Sequence, residues 1–402
     1  MIKIMDKIEE LLTRGVDAIY PTKEELEKVL RSGKKLTLYQ GFDPTGDKLH
    51  IGHMVGLMKL AQWQSLGHKV IFLIGDFTGM IGDPSGKTTT RPMLTSEEVQ
   101  KNAESYKEQA GKILQFTGDN PVQVRFNSEW LGKISAIEFI KIAGLLSVQQ
   151  VVERDLFQER QKSGQDIYMN EFLYPVMQAY DSVAMNVDLE IGGSDQMFNM
   201  LMGRKLMRHM LKKDKFVMTT SLLVDSEGRK IGKTEGNAIA LTDKPEDLFG
   251  KIMAFPDGVV VKAFECLTTI PLNEVQKIKQ AIENGDNPIT YKKRLAFEIV
   301  KQLNSADEAL HARETFEKVV QQKETPTDVE ETDIDILLAQ TNEDLLVQTG
   351  LAASKSDAKR LIEQGGVAID DVKISDPHQK PPVENGSVIR VGKRRTLKLN
   401  VS

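Results

Sequence analysis

Residues 69–77, KVIFLIGDF, form an unbroken β-branched and aromatic run. That is the pattern of a strand buried on both faces, as in a parallel sheet. It recurs: LTLYQGF (36–42), VQVRFNS (122–128) and VDLEIGG (187–193) also read as strands. Between them lie stretches of helical apolar spacing, at 52–66, 96–116, 135–145, 147–161 and 171–186, and another helix follows 193. Thr95 or Ser96 caps the second of these, with Glu97 and Glu98 in its first turn. Strands alternating with helices require right-handed crossovers, and so a doubly wound α/β domain. That pattern stops near residue 240. Pro245 to Lys318 is helical in periodicity, QQKETPTDVEETD (321–333) is polar and acidic like a linker, and 351–374 reads helix, Gly-Gly, hairpin. The expected division is 1–240, a helical domain 241–325, a linker 326–336, and a small α+β domain 337–402.

The totals exclude several classes. No apolar run approaches the roughly 20 residues of a membrane span. The single cysteine, Cys266, rules out an internal disulfide and any cysteine-based zinc cluster, which suits a reducing, cytoplasmic setting. Net charge is −5, so a polyanion-binding surface must arise locally. The last alternating element, VIRVGKRRTLKL (388–399), supplies one: five basic side chains and no acid. Lys355, Lys359 and Arg360 precede it on a helix. A solvated basic edge strand is the plainer reading of this tail.

The chemistry-bearing residues cluster at strand-to-helix junctions. In LHIGH (49–53), His50 and His53 share a helix face three residues apart. Zinc would need a third ligand, and the other four histidines are scattered. The junction, strand, DPTGD turn, then helix, suits a phosphate better, because free N–H groups and the helix dipole favour an anion. Gly52 lets a nucleotide approach the backbone. GDPSGKT (82–88) resembles a Walker A loop, but Ile81 stands where that motif needs glycine. The same loop offers Asp83 for an ammonium group, and Lys87 and Arg91 for polyphosphate. In IGGSDQ (191–196), Gly192 and Gly193 again permit close approach, and Asp195 suits ribose hydroxyls. In GRKIGKTEG (228–236), Lys230 and Lys233 flank a glycine and can close on one pyrophosphate. On YPVMQAYD, Tyr174, Gln178 and Asp181 fall at i, i+4 and i+7, one helix face. Its apolar neighbours predict burial, where a carboxylate needs a partner.

Together these stretches resemble one family. LHIGH and KIGKT (230–234) are similar to the paired HIGH and KMSKS signatures of class I aminoacyl-tRNA synthetases; KIGKT departs at its second, third and fifth letters. YQGFDPTGDKLHIGH, GDPSGK, YPVMQAYD and GGSDQ resemble the bacterial tyrosyl-tRNA synthetases, and the tail their S4-like RNA-binding module. The resemblance implies a Rossmann-like catalytic domain, a helical anticodon-side domain and an S4-like domain. It implies adenylation of L-tyrosine by ATP with magnesium, then transfer to tRNA(Tyr), by a homodimer. It assigns Thr45, His50, His53, Lys87, Arg91, Lys230 and Lys233 to the reacting phosphates. Tyr39, Thr78, Asp83, Tyr174, Gln178, Asp181 and Gln196 would hold tyrosine, with Tyr39 and Asp181 at its phenol. Gly41, Asp43, Gly52, Gly192, Gly193, Asp195 and Thr234 would line the ATP site. Lys355, Lys359, Arg360, Arg390, Lys393, Arg394 and Arg395 would meet RNA. No dedicated protein metal site is expected.

Three rivals remain at this point. A tryptophan enzyme of the same fold is opposed by the pairing of Tyr39 with Asp181, since indole has no hydroxyl. A different HxGH nucleotidyltransferase is opposed by the basic tail. A catalytically dead RNA-binding paralogue is opposed by the retained His50, His53, Lys230 and Lys233.

Overall fold

The computed structural model describes residues 6–85, 93–152, 155–224, 230–231, 238–318, 330–335, 339–370, 372–392 and 395–401. The chain divides into two compact units, Met1–Ala309 and Leu310–Ser402.

The first unit is built on a six-stranded sheet: β1 Val16–Tyr20, β2 Thr37–Phe42, β3 Lys69–Ile74, β4 Gln123–Phe126, β5 Leu189–Gly193 and β6 Phe216–Thr220. Their order is β1-β6-β5-β2-β3-β4, parallel except for β1, which runs antiparallel to β6. The four expected strands are present, three within two residues of the expected bounds; β3 stops at Ile74 because the helix Asp76–Ile81 takes over the end of the run 69–77. β1 and β6 go beyond the sequence expectation; they extend the sheet past β5, where periodicity predicts only a helix. The sheet is doubly wound, since the chain moves from β2 outward to β3 and β4, then returns to β5 on the other side of β2. The switch point lies between β2 and β5, where open α/β sheets bind ligands at the carboxyl ends of their strands.

The core follows from the same pattern. Val70, Ile71, Phe72, Leu73 and Ile74 of β3 are all buried, as a strand covered on both faces requires. The helix Ile51–Ser65 packs over the sheet with Met54, Leu57, Leu60 and Trp63 inward. The expected helix 96–116 is broken into Ser96–Ala103 and Tyr106–Ala110, the first opened by a reciprocal Thr95–Glu98 capping box. Helices Pro245–Met253, Val260–Leu267, Leu272–Glu283 and Pro288–Leu303 follow β6 in the same unit.

The second unit has a five-stranded sheet: β7 Glu330–Ile334, β8 Val367–Ile369, β9 Val372–Lys373, β10 Val388–Val391 and β11 Arg395–Val401, in the order β7-β11-β10-β8-β9. The helix Lys355–Glu363 and the β8–β9 hairpin stand where the sequence places them. Two features differ from the sequence reading. The acidic stretch at 330–334 is β7 rather than linker, because its backbone pairs with β11 and Glu331 meets Lys398 at 2.7 Å. The single element read at 388–399 is two antiparallel strands, turned at Gly392 with φ +65°, which glycine adopts without strain. β11 is therefore interior, between β7 and β10, and not an edge.

Candidate active site

A cavity of about 400 Å³ opens at the switch point. It is lined by Tyr39, Gly41, Asp43, Thr45, His50, Gly52, His53, Thr78, Asp83, Tyr174, Gln178, Asp181, Gly192, Gly193, Asp195, Gln196 and Lys230. Every sequence-predicted residue of the first unit that the structure describes is in this set. Lys87, Arg91, Lys233 and Thr234 lie outside the described residues.

The two histidines settle into a helix start. His50 is the N-cap of Ile51–Ser65, its Nδ1 accepting from the Gly52 N–H at 3.1 Å. The His50 N–H donates to His53 Nδ1 at 3.2 Å, and the two rings stack with centroids 3.7 Å apart. The glycine between them is needed for the histidine itself, since a Cβ at Gly52 would lie 3.0 Å from the His50 ring. Residues 49–51 are tied to the far side of the second signature: Ile51 N–H donates to Ile239 O and Leu241 N–H to Leu49 O, both at 2.9 Å. The strand-like exit of the lysine loop is thus anchored on the histidine turn.

Asp43, after β2, joins two of the predicted sets. Its Oδ1 accepts from Thr78 Oγ1 and its Oδ2 from the Tyr174 hydroxyl, each at 2.7 Å. Gly75 makes this possible, because a Cβ there would overlap Asp43 Oδ1. Across the cavity, Asp83 Oδ2 accepts from Gln196 Nε2 at 2.7 Å, and Asn199 Nδ2 donates to both Gln178 Oε1 (2.9 Å) and Gln196 Oε1 (3.1 Å). Asp195 Oδ2 accepts from Lys230 Nζ at 2.6 Å, so the first lysine of the signature already rests on the carboxylate of the glycine turn.

The floor is formed by the helix Met169–Met185 and strands β2 and β5. Asp181 is buried, its Oδ1 accepting from Trp130 Nε1 at 2.8 Å and its Oδ2 from Asn127 Nδ2 at 3.4 Å. Burial pushes its carboxyl well above the usual aspartate value, against the lowering effect of those two hydrogen bonds. Burial, and then the charges of Glu190 and Asp181, likewise raise the Tyr39 hydroxyl. That hydroxyl lies 2.9 Å from Ser182 Oγ. Behind it, Glu190 and Lys215 form an ion pair closed off from solvent. Sequence reasoning misses Asn127, Trp130, Ser182, Glu190, Asn199 and Lys215. Only Glu190 carries a signal, an acid inside the otherwise apolar run VDLEIGG.

In the second unit the basic residues are more committed than their sequence suggests. Lys355 pairs with Asp344 and Arg360 with Asp357, each at 2.6 Å. Lys359 stands 4.0 Å from Glu363, and Arg395 donates to Leu351 O at 2.7 Å. Arg390 lies on β10; Lys393 and Arg394 lie outside the described residues.

A family model described as tRNA synthetases class I (W and Y) matches residues 31–321, and an S4 domain model matches 343–384. The first alone spans more than half of the chain, which therefore belongs to that class I synthetase family. Within it, the relatives are tyrosine enzymes. The chain is 42% identical to a tyrosine–tRNA ligase of Dehalococcoides mccartyi strain CBDB1 over 395 residues, 98% of each chain. It is 42% identical to that of Thermotoga maritima over 393 residues, 97% of this chain and 96% of the relative. These full-length relatives place it in the tyrosine–tRNA ligase branch. A truncated mitochondrial tyrosyl-tRNA synthetase from Aspergillus nidulans superposes with TM-score 0.66 at 26% identity, covering 78% of this chain and 94% of that one. A tyrosyl-tRNA synthetase from Archaeoglobus fulgidus, solved with L-tyrosine, shares the fold at TM-score 0.60 and 21% identity, covering 76% and 100%.

Proposed function

We infer that the chain activates L-tyrosine with ATP and then transfers the tyrosyl group to the 3′ end of tRNA(Tyr). The tyrosine carboxylate attacks the α-phosphorus of ATP, the bond to the β-phosphate oxygen breaks, and pyrophosphate leaves. A terminal ribose hydroxyl of the tRNA then attacks the carbonyl of the adenylate and AMP leaves. The protein's part is positioning and charge stabilisation, without a covalent enzyme intermediate.

The observation that carries this reading is one cavity with two different ends. At the buried end, Tyr39 and Asp181 present hydrogen-bonding oxygens to a phenol. Asp43 and Asp83 make the wall anionic, as an α-ammonium group requires, with the hydroxyls of Tyr174 and Thr78 and the amides of Gln178 and Gln196 beside them. At the open end, the glycines 192–193, Asp195, Gly41 and the His50–His53 helix start suit adenosine and phosphates. Thr45, Lys87, Arg91, Lys230, Lys233 and Thr234 are assigned to the phosphates, and magnesium would arrive on the triphosphate. The basic residues of the second unit, including Lys393 and Arg394, are assigned to tRNA. Pairing of two copies is supported by Ile137, Ile140 and Val148, apolar and largely exposed after β4. No helix among the described residues is long and apolar enough to cross a membrane, and the buried thiol of Cys266 fits the cytoplasm.

ATP–pyrophosphate exchange, with tyrosine, phenylalanine and tryptophan supplied separately and no tRNA, tests the reading. Exchange with tyrosine alone is expected. Exchange with tryptophan would keep the fold and overturn the pocket.

A further inference from the structure

Nothing in the two-step reaction uses the ion pair beneath the pocket. Lys215 is fully buried and Glu190 nearly so. In the sequence Lys215 looks like the end of a charged turn, KKDK (212–215). In the fold its ammonium fills a space that a side chain at position 203 would close: a Cβ on Gly203 would lie 2.6 Å from Lys215 Nζ and 3.1 Å from Ser182 Oγ. A buried pair of this kind contributes little net stability, since desolvation offsets the attraction. Its geometry suggests another use.

Ser182 Oγ has one proton and two lone pairs. Lys215 Nζ lies 2.5 Å from it, and an ammonium can only donate. The single Ser182 proton has two possible acceptors: Glu190 Oε2 at 3.2 Å, which can only accept, and the nearer Tyr39 Oη at 2.9 Å, where either oxygen can donate. Glu190 Oε1 is taken by Gln178 Nε2 at 3.1 Å. The Tyr39 hydroxyl therefore has Ser182 on one side and the cavity on the other. We propose that Lys215, Ser182 and Tyr39 form a one-way chain of hydrogen-bond donors whose next member is the phenolic hydroxyl of the substrate, with Asp181 as the terminal acceptor. The proposal rests on the reading that tyrosine seats its phenol between Tyr39 and Asp181.

The direction follows from the ends. Lys215 cannot accept and an ionised Asp181 cannot donate. A phenol that donates to Asp181 accepts from the Tyr39 hydroxyl, and Ser182 then turns its own proton from Glu190 Oε2 to the nearer Tyr39 Oη, which gives the order Lys215, Ser182, Tyr39, phenol, Asp181. Each hydroxyl accepts from the one before it and donates to the one after, which polarises the series and strengthens the last link. Phenylalanine leaves Tyr39 without an acceptor in the pocket and Asp181 without a donor. Lys215 and Ser182 are thus positioning residues for selectivity at a distance from the substrate.

Ser182→Ala cuts the chain and leaves the Glu190–Lys215 pair whole. The readout is pyrophosphate exchange with tyrosine and with phenylalanine as separate substrates. We expect KM for tyrosine to rise roughly ten-fold, the loss of about one hydrogen bond to a polarised group, with kcat little changed. Phenylalanine kcat/KM stays as in wild type, so the tyrosine preference falls by the same factor. If Ser182→Ala does not fold, Lys215→Met with Glu190→Gln removes the donor without leaving a lone charge, and the same tyrosine-selective loss is expected. Equal losses for both amino acids, or an unchanged tyrosine KM, overturn the chain while the activity stands. Wild-type protein that exchanges with no tyrosine at all overturns the activity and the chain with it.

Discussion

Replacing Asp181 by asparagine separates what this carboxylate does for the substrate from what it does to the fold. The change is nearly isosteric. The carboxamide oxygen that Asp181→Asn introduces can still accept from Trp130 Nε1, which lies 2.8 Å from Oδ1 in the wild type. The second position, however, becomes an NH₂ facing the Asn127 amide, which in the wild type donates across 3.4 Å. A substrate phenol loses a charged acceptor, worth about 1.5–3 kcal/mol, and its buried hydroxyl is left unpaired at about 1–3 kcal/mol more. The combined loss, about 2.5–6 kcal/mol, predicts a fall of ~10²–10⁴ in kcat/KM for tyrosine. Phenylalanine, which has no hydroxyl to orphan, loses nothing. The stability effect has the opposite sign. Burial holds the folded-state carboxyl above its ordinary value of 3.8, so the ionised side chain opposes folding once pH exceeds that value. The melting temperature of the variant relative to wild type should therefore be higher at pH 7 than at pH 4. Exchange kinetics with both amino acids and melting curves at the two pH values make the check. Near-wild-type tyrosine activity, or losses shared equally with phenylalanine, would refute the role given to Asp181.

Other expectations follow from single contacts. Lys59, buried with its Nζ on Leu11 O and Gln62 Oε1, has its pKa lowered to about 7 by burial. The unfolded chain binds more protons there between pH 7 and 10.5, so wild type should gain about 2–3 kcal/mol over Lys59→Met from pH 7 to pH 9, read by denaturant melts. Gly75→Ala would drive a methyl into Asp43 and Thr78, and displacement of about 1 Å in the ammonium wall should raise KM for tyrosine by up to about 10²-fold, measured by exchange. A chain truncated after Lys318 should retain exchange and lose tRNA charging, because the cavity lies wholly in the first unit; charging at the full rate would remove the second unit from tRNA binding.

The legible part of this protein is periodic or punctuated. Period and residue type mark β2, β3, β4 and β5, most plainly β3, because a strand covered on both faces must be apolar along its length. Glycines mark the junctions, because close backbone approach tolerates no Cβ. The helix face of Tyr174, Gln178 and Asp181 needs only the 3.6-residue repeat. What stays hidden depends on neighbours distant in sequence. β1 is short, interrupted by Asp17, and β7 is acidic; each is a strand by pairing with β6 and β11. Lys215 reads as a solvated charge and is buried because β6 lies beside β5, which brings Glu190 to it. The roles of Asn127 and Trp130 follow from β4 lying next to β3, which points them at Asp181. Sequence by itself determined which residue types sit at the ends of the strands. Tertiary structure alone decided which of those ends meet, and a hydrogen bond between residues a hundred positions apart is fixed by that meeting and by nothing local.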